Sequence, residues 1–162
     1  MNKPSIYVET SIISYIVARP SRDIVTAARQ TLTEEWWQEN ISKYKIHIST
    51  LVLDEASKGN RKLANKRLEL IENFPILDVN NKVEHLANLL ITQKKVPENS
   101  VEDAFHIAIA AVHGMDYLLT WNFKHINNIE MKTKIYRTIA RSGLKSPIIC
   151  SLEELGGLDY EK

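Results

Sequence analysis

Four short polar stretches carry the side chains of this sequence that could do chemistry. Each lies where a predicted strand ends or a predicted helix begins. In an open α/β sheet the loops beyond the carboxyl ends of parallel strands converge on one crevice, so acids far apart in sequence can meet there. A cluster of this kind would hold a divalent metal ion. The acidic or amide members of the four stretches are Glu9, Glu55, Asp103 and Asn122.

Short apolar or β-branched runs alternate with segments whose apolar residues recur every three or four positions. Strands that alternate with helices indicate a parallel sheet covered on both faces. The clearest helices are predicted over residues 22–40 and 101–113, the second followed by Gly114 as a helix end. The predicted strands are residues 5–8, 46–49, 75–79, 117–120 and 147–150.

Length and composition indicate one compact domain over residues 1–162. The chain is 44% hydrophobic and 25% charged, with a formal net charge of +1, and it has no linker-like stretch or internal repeat. Its single cysteine, Cys150, excludes an intramolecular disulfide and is expected to be a small buried apolar residue. Without a signal segment or a run of about 20 apolar residues, the sequence predicts a soluble cytoplasmic protein with no membrane association.

Two of these four residues, one acid and one amide, have a purely structural alternative. Ser100 and Asp103 are spaced as in a capping box, so Asp103 could simply stabilise the start of its helix. Asn122 could be a turn residue that bonds its own backbone. The first alternative is weakened because the helix after Asp103 is nearly all apolar. Acids at the N-terminus of such a helix need a cation or a hydrogen-bond donor to offset their repulsion and partial desolvation.

The other two acids are harder to explain as structural residues. The hydroxyls of Thr10 and Ser11 are expected to cap the helix that follows Glu9, which leaves Glu9 itself unexplained. Asp54 and Glu55 are neighbours on a predicted helix and point about a hundred degrees apart, so only one of them is expected to face the crevice.

The sequence resembles the PIN-domain family, and within it the ribonuclease toxins of the VapC type. The resemblance lies in four segments that occur in the family's order along the whole chain. They are YVETS at 7–11, ISTLVLDE at 48–55, EDAFHIAIA at 102–110 and LLTWNF at 118–123.

This resemblance implies a three-layer α/β/α sandwich with a central parallel sheet, and cleavage of RNA with Mg²⁺ or Mn²⁺ as cofactor. The family's acids fall on Glu9, Glu55, Asp103 and Asn122, which are therefore the expected catalytic and metal-binding residues. Its small hydroxyl residues fall on Thr10 and Thr120 as supporting residues. His106 lies one turn after Asp103 and is either a buried hydrogen-bonding partner or a catalytic acid or base.

Two positions depart from the family pattern. Glu9 is one methylene longer than the usual aspartate, so either the ion would move or the side chain would fold back. Asn122 can offer an amide oxygen but adds no negative charge. We therefore expect one well-held metal ion and, at most, a loosely held second one.

The leading interpretation is a metal-dependent endoribonuclease that is the toxin of a type II toxin–antitoxin pair, forms a homodimer and is inhibited by a small antitoxin protein. The alternative is a catalytically degenerate PIN-fold module that binds RNA or protein. Other nucleotide-binding classes lack support, since the chain has no G-x-G-x-x-G, Walker or G-x-S-x-G motif. Candidate cations for RNA phosphates are Arg19, Arg22, Lys58, Arg61, Lys62 and Lys124.

Overall fold

The structure, a computed structural model, describes residues 2–93 and 95–156. The predicted domain spans 1–162, so residues 1, 94 and 157–162 lie outside the described residues. Five parallel strands form one sheet in the order β3-β2-β1-β4-β5. The strands are β1 (Ser5–Val8), β2 (Lys45–Ser49), β3 (Ile76–Leu77), β4 (Tyr117–Leu119) and β5 (Ile148–Cys150).

Helices connect the strands and pack in two groups, α1 against α2, α3 and α4, and α5 against α6 and α7. This arrangement confirms the predicted α/β sandwich with a central parallel sheet. The helices are α1 (Thr10–Val17), α2 (Ile24–Asn40), α3 (Thr50–Ala56), α4 (Arg61–Ile71), α5 (Asn81–Thr92), α6 (Val101–Val112) and α7 (Ile129–Arg141), with a 3₁₀ turn at Ile41–Lys43.

The central strand β1 organises the sheet. Ile6, Tyr7 and Val8 are fully buried, as expected for a strand of a parallel sheet that is covered on both faces. β1 pairs with β2 on one side and with β4 on the other, so the direction of winding reverses between β1 and β4. A crevice that can bind ligands forms at such a reversal, beyond the carboxyl ends of the two strands.

The predicted elements are all present, with shifts at their ends. β3 is shorter than the predicted 75–79: Pro75 has no N–H to donate, and only its carbonyl takes part, accepting from the Ile48 N–H at 3.0 Å. Helix α2 begins at Ile24 instead of residue 22 because the Asp23 carboxylate caps it through the Thr26 N–H.

Cys150 is buried at the end of β5, as predicted. Burial, followed by the charge of Glu154, raises the pKa of its thiol to about 12. Among the described residues no helix is both long and apolar enough to cross a bilayer.

We expect native Cys150 to resist alkylation by iodoacetamide at pH 8, because only a thiolate reacts and this thiol is buried and protonated. Mass spectrometry should find less than about a tenth of the protein modified under conditions in which the urea-unfolded chain reacts completely. Full labelling of the native protein would contradict the burial of β5.

Candidate functional site

Hydrogen bonds between Glu9 and the residues that end or follow β4 join the carboxyl ends of β1 and β4. Glu9 directly follows β1, and its backbone N–H donates to the Leu119 carbonyl oxygen over 3.0 Å. The Thr120 hydroxyl, directly after β4, donates to Glu9 Oε2 over 2.8 Å. The first and fourth stretches therefore come together at the reversal in the sheet.

Glu9 also caps helix α1. Its Oε2 atom accepts from the Ser11 N–H at 3.0 Å and from the Ser11 hydroxyl at 2.5 Å. The expectation that Thr10 or Ser11 would cap this helix is wrong, because the glutamate side chain is long enough to fold back over the first turn. Glu9 is only 6% exposed, yet its Oε1 atom is not fully buried and has no hydrogen-bond partner within the described part of the chain.

Glu55, in the second turn of α3, faces the same crevice. Its Oε1 atom accepts from the Thr10 hydroxyl at 2.7 Å and lies 2.6 Å from His106 Nε2. Its neighbour Asp54 is exposed and pairs with Lys58 over 3.0 Å, so one of the two adjacent acids faces inward, as expected. Burial raises the pKa of Glu55, but the hydrogen bond and charge of His106 and the Thr10 hydroxyl outweigh it, and the net shift is downward.

His106 links Glu55 to the core of the protein. The side chain is 1% exposed, and its Nδ1 atom lies 2.6 Å from the Tyr7 hydroxyl, which in turn lies 2.8 Å from the Ser49 hydroxyl. Burial lowers the pKa of His106, but the Glu55 hydrogen bond and the nearby carboxylates raise it further, so that the net shift is upward. His106 is therefore a buried partner that orients Glu55.

Asp103 lies in the first turn of α6 and does not act as a simple cap. Its Oδ1 atom accepts from Asn122 Nδ2 at 3.1 Å, and its Oδ2 atom lies 3.2 Å from His125 Nδ1. The capping-box prediction is wrong for Ser100, whose hydroxyl makes no capping bond and lies 2.5 Å from His125 Nδ1 instead. Burial is the main cause that raises the pKa of Asp103, and the charge of Glu55 adds to it.

Asn122 divides its amide between the backbone and Asp103. Its Oδ1 atom accepts from the N–H groups of Lys124, at 3.1 Å, and of His125, at 3.0 Å. The nitrogen of the same amide donates to Asp103. In this arrangement Asn122 is the expected turn residue and also fixes the position of a carboxylate.

The three carboxylates share one electrostatic environment. Glu9, Glu55 and Asp103 all raise the pKa of the single buried His106. Burial keeps the pKa of Asp103 above its usual value in spite of the hydrogen bond from His125. Acids from three separate stretches of the chain thus converge on one crevice.

The residues fit a hard divalent cation, although they do not form a ready-made cage. Within residues 2–93 and 95–156, no three His, Cys, Asp or Glu side chains are already arranged as a metal site. Glu55 Oε2, like Glu9 Oε1, has no partner in this part of the chain and is not fully buried. These two carboxylate oxygens and the Asp103 carboxylate are the donor chemistry that Mg²⁺ and Mn²⁺ prefer.

Comparison with protein families gives a match to the PIN domain over residues 6–127. The matched region runs from β1 to the loop after β4 and contains every acid of the crevice. This chain belongs to the PIN domain family. Comparison with curated proteins gives no match.

Solved structures with the same fold as this PIN domain include a VapC toxin, a VapBC structure and a further toxin–antitoxin complex. VapC20 of Mycobacterium tuberculosis, a sarcin-ricin loop cleaving toxin, is 17% identical with a TM-score of 0.57, over 87% of this chain and 97% of that chain. A Klebsiella pneumoniae toxin–antitoxin complex is 18% identical with a TM-score of 0.55, over 78% of this chain and 94% of that chain. VapBC-1 of nontypeable Haemophilus influenzae is 15% identical with a TM-score of 0.53, over 91% and 98%.

Two members of the site were not anticipated from the sequence. Tyr7 lies between Ile6 and Val8 in β1, and its only signal is a hydroxyl between two apolar residues. His125 follows Asn122 by three residues, and nothing in its neighbourhood shows that the turn brings it back to Asp103. His125 contacts Asp103 directly, whereas Tyr7 bonds His106, which in turn contacts Glu55.

We expect His106→Ala to lower the free energy of unfolding by about 2 kcal/mol, because it leaves the buried Tyr7 hydroxyl without one of its partners. Tyr7→Phe should cost about 1 to 2 kcal/mol for the same reason. Urea denaturation would measure both changes. The matched control is His85→Ala at an exposed position of α5, which should stay within about 0.5 kcal/mol of the parent. If His106→Ala were as stable as this control, the buried chain of hydrogen bonds would not contribute to folding.

Proposed function

We propose that this PIN domain is a Mg²⁺- or Mn²⁺-dependent endoribonuclease that hydrolyses RNA phosphodiester bonds and is the toxin of a type II toxin–antitoxin pair. The observation that carries the proposal is that hydrogen bonds with neighbouring side chains hold Glu9, Glu55 and Asp103 at the same end of the parallel sheet. The family match and the shared fold with VapC20, described as a sarcin-ricin loop cleaving toxin, support the same activity.

The acids would hold the metal ion, each positioned by a neighbouring side chain. Glu9 would contribute Oε1 while Thr120 and Ser11 hold Oε2, and Glu55 would contribute Oε2 while Thr10 and His106 hold Oε1. Asp103 would be the third carboxylate. A bound divalent ion supplies an activated water and polarises a phosphoryl oxygen.

Asn122 would serve the site by orienting Asp103. Its amide oxygen is committed to two backbone N–H groups, and ligation through that oxygen would break both of them. His125 would hold the other oxygen of Asp103. With three carboxylates and no fourth negative charge, the site favours one metal ion, as the sequence predicts.

The proposed partners are RNA, a small antitoxin protein and a second copy of the chain. Toxin–antitoxin complexes from Klebsiella pneumoniae, Rickettsia felis and Haemophilus influenzae share the fold, which supports an antitoxin. Exposed apolar side chains beside the crevice, Val79 and Val101, line a cavity of about 360 Å³ with Leu51 and Phe105 and support a contact between proteins. We place the protein in the cytoplasm, where RNA and antitoxin occur together.

A second function, a binding module without catalysis, is favoured by one observation. Asn122 supplies no charge, and no three ligands are already assembled within the described ranges, 2–93 and 95–156. Such a protein would bind RNA or an antitoxin without holding a metal ion by itself. Metal titration separates the two functions.

We expect isothermal titration calorimetry to detect Mn²⁺ binding to the protein without RNA. Glu55→Gln and Asp103→Asn should each weaken it by at least about 10-fold, because each removes a charged oxygen donor. Asp54→Asn is the matched control, since Asp54 is adjacent to Glu55 but exposed and paired with Lys58. No Mn²⁺ binding to the parent would favour the binding module.

We expect purified protein to cleave RNA with Mg²⁺ or Mn²⁺ and to lose cleavage when EDTA is added. Asp103→Asn should reduce the rate by at least about 100-fold, because it removes a proposed metal ligand. Sequencing of RNA ends after brief expression of both proteins would reveal the substrate in the same experiment. If the parent produced no more new ends than Asp103→Asn, the enzymatic proposal would fail.

A further inference from the structure

One cation beside the crevice is held by aromatic rings. Arg29 lies in the second turn of α2, and its guanidinium carbon lies 4.8 Å from the centre of the Phe123 ring and 5.4 Å from that of Trp121. Trp121 is itself fixed, since it stacks on Tyr15 at 5.9 Å and its Nε1 donates to the Thr33 hydroxyl over 2.9 Å. The guanidinium therefore rests on a rigid surface.

This cation forms no salt bridge in the described part of the chain, although its charge is among the causes that lower the pKa of the exposed Asp23. No carboxylate forms a salt bridge with Arg29 there, and its Nε atom is buried without a hydrogen-bond acceptor. An unpaired N–H of a charged group costs free energy when it is removed from water. Stacking on the rings offsets part of this cost, but it supplies no acceptor for the donors at the edge of the guanidinium.

The two rings that contact Arg29 lie in the loop after β4, whose side chains bond the acids of the crevice. Trp121 and Phe123 flank Asn122, whose side chain donates to Asp103. The Trp121 N–H donates to the Ser11 hydroxyl, which in turn bonds Glu9. An anion bound by Arg29 would consequently lie against the loop that carries the proposed cleavage site.

We propose that Arg29, supported by Trp121 and Phe123, binds a phosphate of the RNA strand next to the one that is cleaved. The inference rests on the proposed ribonuclease function and names a residue that positions its substrate. A planar guanidinium with free edge donors matches a phosphate through two parallel hydrogen bonds. Without such a cation, the three carboxylates would repel the polyanionic strand.

The test is RNA binding without cleavage. Fluorescence anisotropy would measure the affinity of Asp103→Asn protein for a labelled single-stranded RNA in EDTA, with and without Arg29→Gln. We expect Arg29→Gln to weaken binding about 10-fold for all RNA sequences tested and to reduce the slope of log affinity against log salt by about 0.7 to 1. Arg29→Lys keeps the charge but loses the planar guanidinium, so its RNA affinity should lie between those of the protein with Arg29 and the protein with Arg29→Gln.

The matched control is Arg141→Gln, at the exposed end of α7, which should leave affinity and salt slope unchanged. Thermal unfolding of each variant shows whether Arg29 acts only by packing on Trp121. Equal affinity of Arg29→Gln and its parent would overturn the inference. So would weaker binding that appears with an unchanged salt slope and a lowered melting temperature in both Arg29 variants.

The outcome is separable from that of the proposed function. If the wild-type protein cleaves RNA and Arg29→Gln binds it normally, only the phosphate site is wrong. If no RNA is cleaved but Arg29→Gln weakens RNA binding as expected, the phosphate site stands and the enzymatic function falls. If Arg29→Gln changes only the affinity for a protein partner, the anion is a carboxylate of that partner and the inference is overturned.

Discussion

The burial or partial burial of three carboxylates at one end of the sheet is the constraint on which the rest of this site depends. A parallel sheet delivers Glu9 and Glu55 to one end, and the start of α6 delivers Asp103 to the same place. Like charges in a partly buried crevice raise one another's pKa unless donors or cations compensate them. Here the Thr10 hydroxyl and the buried His106 bond Glu55, and the Thr120 hydroxyl bonds Glu9. Each acid is thus held by a partner from a different element.

The buried histidine connects the site to the core. The Tyr7 hydroxyl, from the central strand, bonds one nitrogen of His106 and also the Ser49 hydroxyl at the end of the neighbouring strand. The other nitrogen of His106 faces Glu55. A shift of either strand would break short, buried hydrogen bonds, whose loss is costly away from water. The position of a carboxylate in the crevice is therefore specified by the packing of the sheet, which gives the site rigidity before any ligand arrives.

The sequence was sufficient for the fold, since the alternation of apolar runs with helical patterns reflects interactions that repeat along the chain. The order of the four motifs was sufficient for the family. The sequence was insufficient to predict which side chains of the site hydrogen-bond to one another. Whether Glu9 or Ser11 caps α1 depends on side-chain reach in three dimensions, and the contact of His125 with Asp103 depends on how the loop after β4 turns back. The contact of Arg29 with aromatic rings could not be predicted from the sequence either, because its partners Trp121 and Phe123 lie more than 90 positions away.

The way Glu9 folds back has a consequence for the evolution of this loop. One oxygen of its carboxylate is occupied by Ser11 and Thr120, and the other remains open, so a single side chain serves both a helix end and a crevice. A shorter aspartate would not reach both in the same way, and the helix would then need a different cap. A replacement of Glu9, Ser11 or Thr120 would therefore change the helix end and the crevice together, so the three side chains of this chain form one unit of substitution.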